Sequence, residues 1–407
     1  MNELMTVRDA LLQWLARGIT DASAWQVLVY ALVVTHITIA SVTIYLHRCQ
    51  AHRALELHAI PAHFFRFWLW ITTGQMTKEW VAVHRKHHAK CETAEDPHSP
   101  VIYGIKTVLL RGAELYRLEI KNQDTLKKYG HQTPDDWIER HVYGPFTWQG
   151  VGLMLIVNLL LFGAIGLSVW ALQMAWIPIT AAGIINGWAH HRGYRNFEAP
   201  DASTNILPWG IIIGGEELHN NHHTYPTSAK LSVKKYEFDI GWAYIRGLEM
   251  LGLAKVRKTP PLLRHGALKL VADKDTLEAI IANRYEVMAK YGRELKAACT
   301  TELAKLQAEG AKHSDKWNQF KRAQTWLHRD QERIPSAFHA EIAGARAASP
   351  VLDKLVLMRE ELRLLWTRTN VSVEQLVHDL QLWCRKAEES GITELRAFSQ
   401  SLRAAHA

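Results

Sequence analysis

Cysteine is scarce and scattered. Cys49, Cys91, Cys299 and Cys384 form no Cys-x-x-Cys pair, which excludes zinc fingers, cysteine-held iron–sulfur clusters and a disulfide framework, and suits a reducing compartment. The chain has no His-Pro-Gly-Gly haem motif and no glycine-rich nucleotide-binding turn, so neither haem nor nucleotide is expected to bind. Its opening residues, Met-Asn-Glu-Leu-Met, lack the basic lead and small-residue cleavage site of a signal peptide. Charge is also missing from two long stretches. Trp25 to Leu46 carries no Asp, Glu, Lys or Arg, and its 22 residues reach ~33 Å as a helix, enough for a hydrocarbon core. Val142 to Ala189 is likewise uncharged. That run is too long for one span and suits two, with a turn expected near Ala171–Gln173 and Pro178 inside the second.

Ala59 to Thr77 is apolar and aromatic but has Arg66 near its middle, where a charge costs roughly 2.5–3.5 kcal/mol in a membrane helix. If it crossed fully, the histidines on its two sides would lie on opposite faces of the membrane and could not meet. It therefore reads as an interfacial or re-entrant helix. Residues 7–17, short and charged, read as a surface helix. Basic residues outnumber acidic ones from His47 to Gly130 and from Thr224 to Val271, but not before Leu46. The positive-inside rule then gives three crossings, with the N-terminus outside and the later segments in the cytoplasm. The overall net charge of +8 points to such loops and to anionic headgroups before nucleic acid, so no nucleic-acid partner is expected.

After about Lys255 the character changes. Pro260-Pro261 marks a linker, and polar helical stretches follow, such as Asp275–Lys305 and Val351–Trp366. The expected organisation is an N-terminal surface helix (1–24), a membrane domain (25–255) and a C-terminal cytoplasmic helical region (256–407). The expected fold class is an all-α integral membrane helical bundle with a histidine-rich cytoplasmic face and a helical appendage.

Histidine is abundant, at 22 residues, and falls in four groups where apolar segments end. These are His47 with His52; His84, His87 and His88; Asn186 with His190; and His219, His222 and His223. Helix positions i, i+3 and i+4 share a face, so each His-x-x-His-His group can converge. His47 and His52 do not share an ideal helical face, so the helix is expected to end or unwind between them. Imidazole is a common ligand for iron, copper and zinc. Nine converging imidazoles exceed the needs of one tetrahedral zinc and point to two metals, iron being the natural choice for oxygen activation. The isolated His36, His58, His63, His98, His131, His141 and His265 read as solvated or capping residues, and His191 as a non-ligand.

The four groups, in this order, resemble the membrane fatty-acid desaturase family, nearest its acyl-CoA Δ9 (stearoyl-type) branch and that branch's bacterial members. Supporting context is Glu79-Trp80 before the second group, Asp96-Pro97-His98 after it, Gly193-Tyr194-Arg195 after the third, and Gly215 to Pro226 around the last. The resemblance covers about residues 25–250. It implies an O2-dependent enzyme that introduces a cis double bond, at Δ9, into a saturated acyl chain. It also implies two iron ions held by His47, His52, His84, His87, His88, His190, His219, His222 and His223, with Asn186 as an outer partner acting through water. Further implications are a fatty-acyl substrate (a CoA ester or a phospholipid), a bent acyl tunnel, and electrons from a separate ferredoxin-like protein or reductase; Trp80 and Trp188 read first as aromatic belt or core packing and only second as tunnel residues. The expected location is the cytoplasmic membrane, active site inward. Glu79, Asp96, Glu216 and Glu217 are open between orienting imidazoles and ordinary solvation. A hydroxylase or ketolase on a similar scaffold is the alternative, and a non-catalytic metal transporter a more distant one. From Leu362 onward the tail resembles the C-terminal helical part of some bacterial transposases, without a catalytic carboxylate triad, and reads as an appendage for folding or partner contact.

Overall fold

A computed structural model describes residues 2–310, 312–330, 334, 336–368 and 370–406. The fold is all-α; the few strands among the described residues are two or three residues long. The chain forms two compact units, Met1–Arg195 with Ala199–Pro260, and Asn196–Glu198 with Pro261–Ala407.

The first unit opens with α1 (Asn2–Arg17), whose Val7, Leu11, Leu12 and Leu15 are exposed. Next comes α2 (Ala24–Ser41). Its start is fixed by a reciprocal cap: Ser23 Oγ accepts from the Gln26 backbone N–H, and Gln26 Oε1 accepts from the Ser23 N–H. One side of α2 buries Val34, Thr38 and Ile39, while Leu28, Leu32 and Val33 face outward, as a lipid-facing helix requires. The helix then widens without a break into a π-helix, Val42–Ala51, so that Ala24–Ala51 is one 28-residue rod long and apolar enough to cross a membrane.

α3 (Ala59–Thr73) is the aromatic segment with the central arginine. Arg66 is buried rather than lipid-facing, and its guanidinium donates to both Asp136 oxygens (2.6 and 2.8 Å) and to Glu139 (2.7 Å). α4 (Thr77–Lys90), α5 (Pro100–Tyr103), α6 (Ile105–Glu119) and α7 (Gln123–Tyr129) follow.

The uncharged run becomes α8 (Thr147–Phe162) and α9 (Ile165–Ile177), the latter prolonged by a second π-helix, Pro178–Ile185. Ile165–His190 is the second segment long and apolar enough to span a membrane. The turn lies at Gly163–Ala164 and not near Ala171–Gln173 as expected. Gly163 has a φ of 65°, and a β-carbon there would sit 2.4 Å from the Trp14 carbonyl oxygen, so only glycine fits. Gln173 instead accepts from Asn158 Nδ2 (2.9 Å) between the two helices. An apolar setting makes that pairing obligatory.

α10 (His219–Thr224) is wholly buried, and α11 (Ile240–Met250) closes the unit. Leu55–Leu57 pairs antiparallel with Ala254–Val256, and Trp209–Gly210 parallel with Phe238–Asp239.

The second unit holds α12 (Lys274–Ala282), α13 (Arg284–Ala308), α14 (Asp315–Ala323), α15 (His339–Ala348), α16 (Pro350–Thr367), α17 (Val373–Glu389) and α18 (Thr393–Arg403). The stretch expected as one helix over Asp275–Lys305 is divided at Asn283. This unit has its own core, with Tyr291, Leu295, Leu355, Leu362, Trp383 and Phe398 almost fully buried. All four cysteines are unbonded to one another, and Cys299 and Cys384 lie inside this core.

Candidate metal centre

The helix ends between His47 and His52 as expected, Ala51 being its last residue, and its final turns are widened to π geometry, in which the His52 N–H bonds the His47 carbonyl (3.0 Å) five residues back. That wider turn places residues i and i+5 on one face, and the two imidazole centroids lie 4.8 Å apart. The second π-helix works the same way: the Asn186 N–H bonds the Ala181 carbonyl (3.1 Å), and a short 3₁₀ turn, Trp188–His190, follows.

All nine expected histidines come together, in two groups whose ligand-type nitrogens lie within 4.8 Å of one another. One group is His47, His52, His84, His88 and His222; the other is His87, His190, His219 and His223. In the first, Nε2 atoms approach to 2.8 Å (His52 and His84), 2.9 Å (His88 and His222) and 3.0 Å (His47 and His222). In the second, His190 and His219 approach to 3.0 Å. Burial holds His52, His84, His88, His219 and His222 well below the ordinary imidazole pKa, the neighbouring imidazoles adding to the effect. Burial also brings His223 down to about 4, against the opposing pull of Asp201. Neutral imidazoles crowded in this way are what a metal ion requires.

Carboxylates fix three of the rings. The Nδ1 atoms lie 2.7 Å from Glu216 Oε1 (His47), 3.0 Å from Asp96 Oδ1 (His87) and 2.9 Å from Asp201 Oδ2 (His223). With the proton on Nδ1, each ring presents a bare Nε2 inward. Burial alone would raise these three acids; their histidine contacts outweigh it and hold all three below the usual carboxylate range. His190 Nδ1 lies 3.6 Å from Glu92, too far for a hydrogen bond.

Of the four carboxylates left open by the sequence, Glu216 and Asp96 hold imidazoles. Glu217 instead accepts backbone N–H groups of Ile213 (2.8 Å) and Gly215 (3.1 Å). Glu79 is half-buried, and burial raises its pKa. Asp201 and Glu92 were not foreseen. They stand on loops without motif spacing, and only a polar residue shortly before the last group could have drawn notice to Asp201.

Asn186, Trp80 and His84 line one cavity together with Val83, Ile177, Pro178 and Ala181. Trp80 stacks on His84 with the rings 15° from parallel. Trp188 is 40% exposed and does not line it. His98, expected to be solvated or capping, is buried and stacks on His87 at 4.4 Å. His58 caps α3 by accepting the Ile60 N–H, and His36 pairs with the Tyr244 hydroxyl (2.7 Å).

Fold and site thus define an all-α protein with two segments long and apolar enough to cross a membrane and a histidine cluster able to hold metal. A family model described as fatty acid desaturase matches residues 23–247. The chain is 27% identical over 241 residues to the Delta-9 acyl-lipid desaturase 1 of Arabidopsis thaliana, covering 58% of this chain and 76% of that one. It is 28% identical over 226 residues to the sn-1 stearoyl-lipid 9-desaturase of a Synechocystis strain (54% and 68%). To an acyl-CoA 5-desaturase of Anemone leveillei it is 29% identical over 231 residues (54% and 67%). The chain belongs to the fatty acid desaturase family and is an oxidoreductase acting on fatty acyl chains. A second family model, described as transposase, matches residues 269–407.

Proposed function

We propose that the protein introduces a cis double bond at Δ9 of a saturated fatty acyl chain, using O2, two iron ions and two electrons from a separate ferredoxin-like protein or reductase. The observation that carries this reading is the pair of histidine groups, one of five partly buried and one of four fully buried, beside a largely apolar cavity. Each group would hold one iron, and the donor set fits: burial holds His52, His84, His88, His219, His222 and His223 below the ordinary imidazole range, and His223 Nε2 is buried without a partner. When bound, the irons supply the oxidising power to break unactivated methylene C–H bonds, which acid–base side chains lack.

The reaction takes one O2, two electrons and two protons with two hydrogens from adjacent methylenes, and yields the alkene and two waters. Trp80, Val83, Ile177, Pro178 and Ala181 hold the acyl chain against the His84 side of the centre. Glu216, Asp96 and Asp201 keep their imidazole protons on Nδ1, and Asn186 acts on the centre through water. The acyl donor is a CoA ester or a phospholipid. The site faces the cytoplasm, the N-terminus lies outside, and the chain crosses the cytoplasmic membrane three times. The region after about residue 255 is a cytoplasmic helical appendage for folding or partner contact.

The test is fatty-acid profiling of cells with and without the gene, with double bonds mapped, together with metal analysis of purified protein. Two irons per chain and a new Δ9 alkene are expected. His87→Ala and His222→Ala should each abolish the product while membrane insertion persists. One zinc without iron, or a hydroxylated or keto product, would overturn the proposal.

A further inference from the structure

α10 is too short to hold itself. Its six residues make fewer than two turns, and a helix of that length is marginal on its own. Yet it carries two of the four imidazoles of the second group, His219 and His223, and one of the five in the first, His222. Leu218, at its start, has no polar side-chain atom to cap it, so the first backbone N–H groups need acceptors from elsewhere.

Asn205, on the loop that also carries Asp201, supplies one. Its Oδ1 accepts the backbone N–H of Asn220 (2.8 Å) and of Asn221 (3.2 Å), as an N-cap side chain does, but from outside the helix. Its Nδ2 donates to Asn221 Oδ1 (3.0 Å), and Asn221 Nδ2 donates onward to the Leu231 carbonyl (2.9 Å) and to Glu237 (2.8 Å). Asn205 is fully buried, so bulk water does not reach these bonds.

The backbone fixes Asn205 in turn. Its N–H and carbonyl both pair with Tyr194 (2.7 and 2.9 Å). A β-carbon on Gly193 would lie 2.2 Å from the Asn205 carbonyl oxygen, so glycine lets the two segments close. Arg195 donates to the carbonyls of Ala199 (2.8 Å), Asp201 (2.8 Å) and Ser203 (2.6 Å). Thr204 donates from its N–H (2.6 Å) and its hydroxyl (2.9 Å) to the carbonyl of Ala189, next to His190. One loop therefore braces His190 through Thr204, His223 through Asp201, and α10 through Asn205. All three histidine-bearing contacts lead to the four-histidine group; of the five-histidine group, only His222 rides on α10.

We propose that Asn205 is a positioning residue for the metal of the four-histidine group: capping α10 from outside, it fixes where His219 and His223 stand. The inference rests on the two-metal centre proposed above.

The test uses full-length protein in detergent, titrated with cobalt(II) as an optical probe. Asn205→Leu keeps the branched shape and removes the amide. It should bind the second cobalt about ten- to a hundredfold more weakly than the unsubstituted protein, the usual cost of losing an outer partner, with the first little changed. At one equivalent of cobalt its visible spectrum should match that of His190→Ala, which lacks a donor of the four-histidine group, and differ from that of His52→Ala. Asn205→Asp keeps both bonds to the α10 backbone and loses only the donation to Asn221, so it should recover part of the loss. Backbone hydrogen exchange in Asn205→Leu should quicken over α10 and not over α3, which separates a loosened helix from a misfolded chain. Unchanged affinity for the second cobalt, equal weakening at both sites, or Asn205→Asp no better than Asn205→Leu would overturn the proposal. Failure of the two-metal reading is distinct, because the unsubstituted protein would then bind fewer than two cobalt ions.

Discussion

Replacing Asp201 by Asn should empty half of the metal centre. Asp201 Oδ2 accepts from His223 Nδ1 at 2.9 Å, which leaves Nε2 bare toward the second histidine group. The other oxygen, Oδ1, is claimed by Ser203, whose backbone N–H (3.0 Å) and hydroxyl (2.5 Å) both donate to it. An asparagine must therefore keep its carbonyl oxygen at the Oδ1 position and turn its amide NH2 toward His223. That forces the imidazole proton onto Nε2, the atom needed for the metal. Losing an outer partner of this kind costs 10–100-fold in affinity, ~1.4–2.8 kcal/mol. The forced tautomer places Asp201→Asn at the upper end. Metal analysis at limiting iron should show about one iron per chain, held by the five-histidine group, with desaturation lost. Asp201→Asn protein that keeps two irons and wild-type turnover would refute the tautomer argument.

Arg48 and Asp239 form a bidentate pair at 2.9 and 3.0 Å, both side chains at most 1% exposed. Arg48→Met strands a buried carboxylate and should cost ~3–5 kcal/mol, lowering thermal stability in detergent. Asp239→Asn keeps the acceptor for the Trp242 N–H and should cost less, and the double variant should regain part of the loss. In metal-free protein, His223 titrates at about 4 against an ordinary value of 6.5. The unfolded chain then binds the extra proton between those values, so stability rises with pH across that window and falls on acidification, by about 3 kcal/mol for this group. His223→Ala should flatten that part of the melting-temperature profile. Protein ending at Pro260 should keep its iron and some desaturation, and residues 261–407 alone should be helical and unfold cooperatively. A truncated but folded first unit that binds no iron would make the tail part of the catalytic body.

Much of the site was legible because ligand chemistry leaves a periodic trace. Charge-free runs marked α2, α8 and α9; two of the histidine groups stood where α2 and α9 lead into polar chain, one on α4, and the last after the short apolar stretch Ile211–Gly215. The burial of Arg66 against Asp136 and Glu139 was not legible, because those partners lie some seventy residues on. Nor was the hairpin turn, since Gly163 carries no polarity while Gln173 does. Asp201 escaped for the same reason: its role comes from where a loop passes, not from any spacing.

The sequence by itself marked the two His-x-x-His-His groups as able to converge, since i, i+3 and i+4 spacing is a local property. Only the tertiary structure decided how they divide. In both His-x-x-His-His groups the i, i+4 pair stays together, His84 with His88 and His219 with His223, while His87 and His222 each join the other cluster. Adjacent helical residues point about 100° apart, so one box cannot aim all three rings at one centre. Two boxes facing each other can supply both. The pairing of His47 with His52 likewise needed a π-helix, stabilised by packing that no stretch of sequence announces.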